Sequence, residues 1–331
     1  MLRWQTARVS LSKRKRVLLG LGLGVLLVIA GLWTGNSSAL WGDDDGRPLL
    51  LAHRGIAQTF PLEGVQSDTC TASRIHPPEH SYVENTLPSM RAAFAAGADM
   101  LEVDVQVTAD DRLVVFHDST LECRTDGTGP VRSRTLGDLR RLDLGYGYTA
   151  DGGATYPLRG RGVGLLPTVE QVVAEFPDRE LLLDLKNDDP AEGDRLATYL
   201  ATLPTERLSR IGVYGGDAAV AKVADRLPGL RATSRKIMKD CLTDYAATGW
   251  TGRAPDACRH TELHLPQRYG RLMWGWPNLF VDRMRAVDTR VILVAGDGGW
   301  SAGFDRPADL ATVPADWSGW LWTNRVDAIT G

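Results

Sequence analysis

Beyond its first sixteen residues the chain has no basic surplus. Of its 38 lysines and arginines, six (Arg3, Arg8, Lys13, Arg14, Lys15, Arg16) lie in that opening segment, leaving 32 against 41 acids. An acidic body of this kind argues against nucleic-acid binding through phosphate contacts. Cysteine is scarce: Cys70, Cys123, Cys241 and Cys258 are the complete set. None of them has the close spacing of a zinc knuckle, which sets a metal-finger reading aside. No internal repeat or low-complexity tract stands out, so solenoid architectures are excluded. Charge is missing altogether from Val17 to Gly42.

That uncharged stretch is what the sequence has in place of a soluble start. Residues 17–35 are apolar and long enough to cross a bilayer at 1.5 Å per residue. The cluster Lys13–Arg16 should stay cytoplasmic and the remainder should be exported. The expected organisation is a basic cytoplasmic segment (1–16), a transmembrane signal anchor (17–35), a linker (36–48) and a body (49–331). Cleavage near Ala39, after Ser37 and Ser38, is the secreted alternative. Export makes disulfides the natural state of the cysteines, and four cysteines allow three pairings. Cys241 and Cys258 bracket one Gly/Pro-rich segment, and Cys70 and Cys123 fall in loops beside the candidate site. The expected pairs are therefore Cys70–Cys123 and Cys241–Cys258.

The body alternates short apolar runs with helical patterns. LLLAHRG (49–55), LEVDVQVT (101–108), LVVFHD (113–118), ELLLDLK (180–186), SRIGVYG (209–215), LRATSRK (230–236), TRVILVAG (289–296) and SGWLWTN (318–324) read as strands. About eight strands separated by helices predict parallel βαβ units in a single (β/α)8 TIM barrel. A doubly wound sheet is the competitor. The barrel is preferred because polar residues gather at the C-terminal ends of several strands, and a barrel brings all such ends to one rim. Residues 241–282, rich in Trp, Gly and Pro, read as an excursion from the barrel.

On that rim Glu102, Asp104 and Asp184 converge as three carboxylates. Buried acids repel one another, so a shared hard cation, Mg2+ or Ca2+, would account for them. His53 and His117 come from different strands and suit an acid/base pair near neutral pH. Arg54 and Lys186 add fixed positive charge, which fits an anionic substrate such as a phosphodiester. His76, His80, His260 and His264 read as loop histidines outside the chemistry. Asp118 reads as a cap on the turn after its strand, and Gly127 and Gly129 as turn residues.

HRG at 53–55, ENT at 84–86, LEVDVQVTADDRLVVFHDSTL at 101–121 and DLK at 184–186 together resemble the glycerophosphodiester phosphodiesterase family. The resemblance runs from about Leu49 to Asn324. It implies a TIM barrel, one divalent metal, and hydrolysis of glycerophosphodiesters to glycerol 3-phosphate and an alcohol. By motif it implies His53 and His117 as the acid/base pair, with Glu102 and Asp104 as metal ligands. Arg54 would contact the phosphate and Glu84 would orient Arg54 or a substrate hydroxyl. Two positions depart from the family pattern. Its third carboxylate usually stands in Glu-x-Lys, here Asp184-Leu185-Lys186. Its late Thr-Asp is here Thr323-Asn324, preceded by Trp322, which is placed with the substrate contacts. Tryptophans of the excursion (Trp250, Trp274, Trp276) are expected beside the barrel mouth. The alternatives are a lysophospholipase D or sphingomyelinase D-like enzyme acting on membrane lipid, and a non-catalytic barrel holding a headgroup or sugar.

Overall fold

The computed structural model describes residues 13–42, 46–66, 69–299 and 302–330. Residues 1–12 of the basic segment and Asp43–Asp45 of the linker lie outside the described residues. Among the described residues nine strands form: β1 (Leu49–His53), β2 (Met100–Val107), β3 (Leu113–Val115), β4 (Glu180–Leu185), β5 (Ile211–Gly215), β6 (Arg231–Ser234), β7 (Glu262–Pro266), β8 (Arg290–Val294) and β9 (Trp320–Thr323). Eight are parallel neighbours in the order β6-β5-β4-β2-β1-β9-β8-β7, and β3 hangs antiparallel off β2. The ring is nearly closed, its first and last strands being linked at their starts. There Ala232 N–H donates to His260 O at 3.0 Å, and Arg231 Nε meets Glu262 Oε1 at 3.2 Å. The expected barrel is therefore present, with two corrections to its strands.

The hairpin strand 113–115 is not part of the ring, and the eighth ring strand lies inside residues 241–282. That stretch is not a simple excursion. It continues the helix Arg235–Thr248 and supplies β7. Glu262-Leu263-His264-Leu265 alternates with period two, but its polar half faces the barrel interior instead of solvent, and its surroundings are loop-like in composition. The tryptophans follow suit. Trp276 packs on Phe280 and Trp317, and Trp274 Nε1 donates to Ala246 O at 3.0 Å. Neither lines the mouth.

Every ring strand is buried on both faces, as parallel sheets are. Val103, Val105, Leu183, Val213, Leu263 and Leu293 face outward into the helix layer. Leu51, Met100, Leu182, Ile292, Trp320 and Trp322 fill the interior. The helices begin on side-chain caps: Thr86 for Leu87–Ala95, Thr168 for Val169–Glu175 and Ser234 for Arg235–Thr248. A satellite core around Tyr148, Leu121 and Leu139 packs residues 119–166 over β3. Both expected disulfides, Cys70–Cys123 and Cys241–Cys258, are formed.

The N-terminal end of the barrel is plugged by charge. Glu262, fully buried, accepts from Arg231 Nε and from Arg290 Nη1 at 2.9 Å, and Arg290 also reaches Glu180. Gly212 of β5 makes room for it, since a Cβ there would lie 2.3 Å from Glu262 Oε1. Nearer the C-terminal end, His264 stands between Tyr214 and Trp322, with ring centroids 4.8 and 5.3 Å away. It is an interior residue of β7, not a loop histidine. Its ring nitrogens are shielded from solvent and meet no hydrogen-bond partner among the described residues. Burial lowers its pKa to about 4.

Two outcomes follow from these interior residues. Glu262→Ala leaves two buried guanidiniums short of their shared acceptor and should lower unfolding free energy by about 3 kcal/mol in urea titrations. An unchanged urea midpoint would deny the plug a structural role. His264 is neutral when folded and protonates more readily when unfolded. Its contribution is therefore present above pH 6.5 and lost as pH falls toward 4. In His264→Leu the fall in stability across that window should be shallower, by up to about 3 kcal/mol. Parallel wild-type and variant curves would refute this.

Candidate active site

β1 ends in His53-Arg54-Gly55, and the backbone turns sharply there. Arg54 has φ +62° and Gly55 has φ +84°. A Cβ at Gly55 would strike Ser89, 2.6 Å from its Oγ and 2.8 Å from its carbonyl carbon, so only glycine fits. The turn sends the Arg54 guanidinium back into the barrel. There its Nη1 donates to Glu84 Oε1 at 2.9 Å and its Nε lies 3.0 Å from Asp104 Oδ2. Glu84 thus orients Arg54. Asn85, also left-handed at φ +59°, donates from Nδ2 to Asp104 Oδ2 at 2.6 Å.

The register of β2 and β4 pairs Asp104 with Asp184, and that of β1 and β2 pairs His53 with Glu102. Since neighbours in register share a face, all four side chains point inward. Glu102, Asp104 and Asp184 bring one ligand atom each to within 4.8 Å of one another, and all three are buried. Lys186, just past the end of β4, places Nζ 3.3 Å from Asp104 Oδ1 and 3.1 Å from Asp184 Oδ2. The cations do not reach everywhere. Among the described residues no hydrogen-bond donor meets either oxygen of Glu102, and Asp104 Oδ1 has the Lys186 ion-pair contact without a hydrogen bond.

The charges respond accordingly. Burial, then the repulsion of Asp104 and Asp184, raises the Glu102 pKa well above the carboxylate range. Burial acts upward on Asp104 too, but Arg54 and Lys186 outweigh it and hold that carboxyl well below its usual value. Asp184 is raised by burial, with Lys186 opposing. Orphaned acceptors in a buried acidic triad are the donor set of a hard divalent cation. The shorter Asp184 still reaches the cluster.

The two histidines are held differently. His53 Nδ1 lies 2.6 Å from Asn324 Oδ1, and its ring packs on Trp322 at 4.4 Å between centroids. The Asn324 amide is oriented by Asp305, whose carboxylate accepts from Nδ2 at 2.8 Å and from the Asn324 N–H at 2.7 Å. A carboxylate only accepts, so the amide oxygen faces His53, and Nδ1 must carry the hydrogen. Nε2 is left as a lone pair, 3.7 Å from Glu102 Oε2. Burial, and then Arg54, push the His53 pKa well below 6.5.

His117 follows β3 and gives its Nδ1 hydrogen to Asp118 Oδ1 at 2.5 Å. Asp118 is therefore more than a turn cap. Its other oxygen lies 3.0 Å from Arg124 Nε. Arg124 is fully enclosed by Tyr148, Thr71 and Glu84, at 2.9, 2.9 and 3.4 Å. The Cys70–Cys123 bridge joins the residues immediately beside Thr71 and Arg124. Arg124 thus outweighs the upward push of burial on Asp118 and holds its pKa far below the carboxylate range. Burial, Arg54 and Lys186 lower His117 to about 4. With a quarter of its side chain exposed, His117 is, with Lys186, among the more open members of a set whose carboxylates are buried.

The structure therefore gathers His53, Arg54, Glu84, Glu102, Asp104, Asp184, Lys186 and Trp322 at one end of the barrel, with His117 within electrostatic reach of His53 and Asp104. Sequence reasoning missed Asp118 as a histidine partner, and it missed Arg124, Asn85, Tyr214 and His264. Arg124 carried one usable signal, an arginine next to a cysteine expected in a disulfide.

Comparison with known proteins agrees with this geometry. Residues 53–202 match the model of the glycerophosphoryl diester phosphodiesterase family. "Uncharacterized protein MT2337" of Mycobacterium tuberculosis (strain CDC 1551 / Oshkosh) is 31% identical over 248 residues, 74% of this chain and 74% of that one. The Bacillus subtilis (strain 168) "Glycerophosphodiester phosphodiesterase" is 31% identical over 168 residues, 49% of this chain and 48% of that protein. Among solved structures, the glycerophosphoryl diester phosphodiesterase domain of "Uncharacterized protein Rv2277c" from M. tuberculosis superposes with a TM-score of 0.61. It is 23% identical and covers 86% of this chain and 98% of that one. With the barrel, the strand-end motifs and a relative matched over three quarters of its length, the chain belongs to the glycerophosphoryl diester phosphodiesterase family.

Proposed function

We propose that this chain is a metal-dependent glycerophosphodiester phosphodiesterase, releasing glycerol 3-phosphate and an alcohol, anchored by its N-terminal helix with the barrel outside the cytoplasm. The observation that carries the reading is the buried triad Glu102, Asp104 and Asp184, with unsatisfied oxygens, ringed by Arg54, Lys186 and two histidines. A divalent cation, Mg2+ or Ca2+, held by that triad would neutralise charge on the phosphoryl oxygens as it grows. Arg54 and Lys186 supply fixed positive charge for a non-bridging oxygen. His53, neutral and with Nε2 bare, takes the proton of the attacking hydroxyl. That hydroxyl is the glycerol 2-hydroxyl, giving a cyclic phosphate that water then opens, or water itself. His117 gives a proton to the leaving alcohol oxygen. A bound phosphodiester anion offsets Arg54 and Lys186, so His117 is easier to protonate with substrate present. The Asp118 carboxylate supports the imidazolium that this role needs. Trp322, His264 and Tyr214 stack inside the barrel beside the carboxylates, with Tyr214 in register with Asp184.

A non-catalytic barrel fits these observations poorly. Binding alone needs neither two oriented histidines nor an acidic triad with orphaned oxygens.

His53→Ala and His117→Ala should each lower kcat about 10²- to 10⁴-fold on a soluble glycerophosphodiester, with thermal unfolding unchanged. Near-wild-type kcat in either variant removes that histidine from the mechanism. Glu102→Gln should lose Mg2+ or Ca2+ binding by calorimetry. In EDTA it should be at least as stable as the wild type, because it removes a carboxylate that its neighbours repel. Intact metal affinity in Glu102→Gln would take Glu102 out of the metal site.

A further inference from the structure

The proposed reading leaves open whether the phosphodiester arrives dissolved or embedded in the bilayer. The way the anchor meets the barrel decides this. Helix Lys13–Gly35 has 23 residues, about 35 Å at 1.5 Å per residue, enough to cross a bilayer core. None of its residues is buried, so it projects away from the body and does not lie along the barrel wall. Its end and the turn after it touch the body. Arg283 donates to Asn36 Oδ1 at 2.8 Å and to Gly35 O at 3.1 Å. Asn36 Nδ2 donates to Trp250 O at 3.1 Å. Ser38 Oγ accepts from the N–H groups of Asn278 and Leu279 at 2.9 and 3.2 Å.

Helix Arg235–Thr248 measures how far this docking point lies from the site. It starts on Ser234, the last residue of β6, at the rim where the strands end. Asp184 is in register with Tyr214, and Tyr214 with Thr233, so the carboxylate triad sits at the level of that start. Fourteen residues later, about 21 Å along, the helix ends at Gly249. The Gly249 carbonyl accepts from Arg283 Nη1, the same nitrogen that holds Asn36. The anchor is thus fixed to the end of the barrel opposite the active site. Large apolar side chains are exposed there: Trp33, Trp41 and Trp250 are 70%, 65% and 49% exposed. Tryptophan at such a junction is the residue expected at a membrane–water boundary.

We infer that the barrel stands on the bilayer by its N-terminal end, with Trp41 and Trp250 in the headgroup region and the active site facing away. The substrate class is then a water-soluble, deacylated phosphodiester arriving from solution. A lysolipid in the same membrane would have to withdraw its acyl chain into water to reach the carboxylates. The inference rests on reading Lys13–Gly35 as a membrane span, and it narrows the proposed function to soluble substrates.

The test uses the full chain reconstituted in vesicles containing lipids brominated along the acyl chain. The fraction of tryptophan fluorescence quenched should drop in Trp41→Phe and Trp250→Phe and rise slightly in Trp322→Phe, which removes an unquenched emitter. Glycerophosphocholine in solution should be cleaved at least 100-fold faster than long-chain lysophosphatidylcholine held in the same vesicles. Loss of quenching in Trp322→Phe, or turnover of the bilayer lysolipid within tenfold of the soluble diester, would overturn the inference. Release of the chain by alkaline carbonate would remove the membrane reading and the inference with it. No turnover of either substrate, with the expected quenching pattern, would support the placement and count against the proposed activity alone.

Discussion

Three carboxylates packed together away from water set the terms for everything around them. Glu102, Asp104 and Asp184 repel one another in a medium that screens poorly, and the barrel must answer that repulsion without filling the site. It does so from both sides. Lys186 bridges Asp104 and Asp184, and Arg54 reaches Asp104 through a left-handed turn that Gly55 permits. Arg54 then needs Glu84, Glu84 meets Arg124, and Arg124 holds Asp118, which orients His117. Positive and negative groups alternate from the carboxylate triad outward to the more exposed histidine. Only Glu102 is left with no hydrogen-bond donor among the described residues, and this is where a cation has most to offer.

The opposite end of the barrel shows what an acid looks like when its role is structural. Glu262 is as buried as Glu102, yet Arg231 and Arg290 both donate to it. Burial alone does not distinguish the two glutamates. Their donors do: at the base one oxygen of Glu262 takes two arginine donors while Oε2 meets none among the described residues, and at the rim neither oxygen of Glu102 meets one.

Much of the rim was legible in the sequence, because several apolar strands end in polar residues and a barrel brings such ends together. His53, Glu102, Asp104 and Asp184 could be placed on one face from alternation alone, given a barrel. The polar face of LEVDVQV could equally be solvent-facing by pattern, and only closure of the ring makes it an interior. For the same reason β7 escaped notice. Glu262 and His264 make ELHLP look like an exposed loop strand, although its polar half is sealed inside. Asp118 and Arg124 were hidden by a different cause. Their roles arise from contacts between loops far apart in sequence, such as Arg124 to Thr71, and no local period records these. The tryptophans of 241–282 misled because composition says that a ring will be buried or interfacial, but not at which end of the barrel.

The partners of the two histidines differ by a single functional group, and this has a consequence for how the pair is told apart. His53 is oriented by an amide, itself fixed by Asp305; His117 is oriented by a carboxylate. An amide imparts direction without charge, so His53 keeps its bare Nε2 while gaining little stabilisation of its protonated form. A carboxylate imparts direction and favours imidazolium. Two imidazoles beside the same carboxylate triad are thus biased toward opposite protonation states. An aspartate at 324 would load charge onto the ring that this chain leaves uncharged.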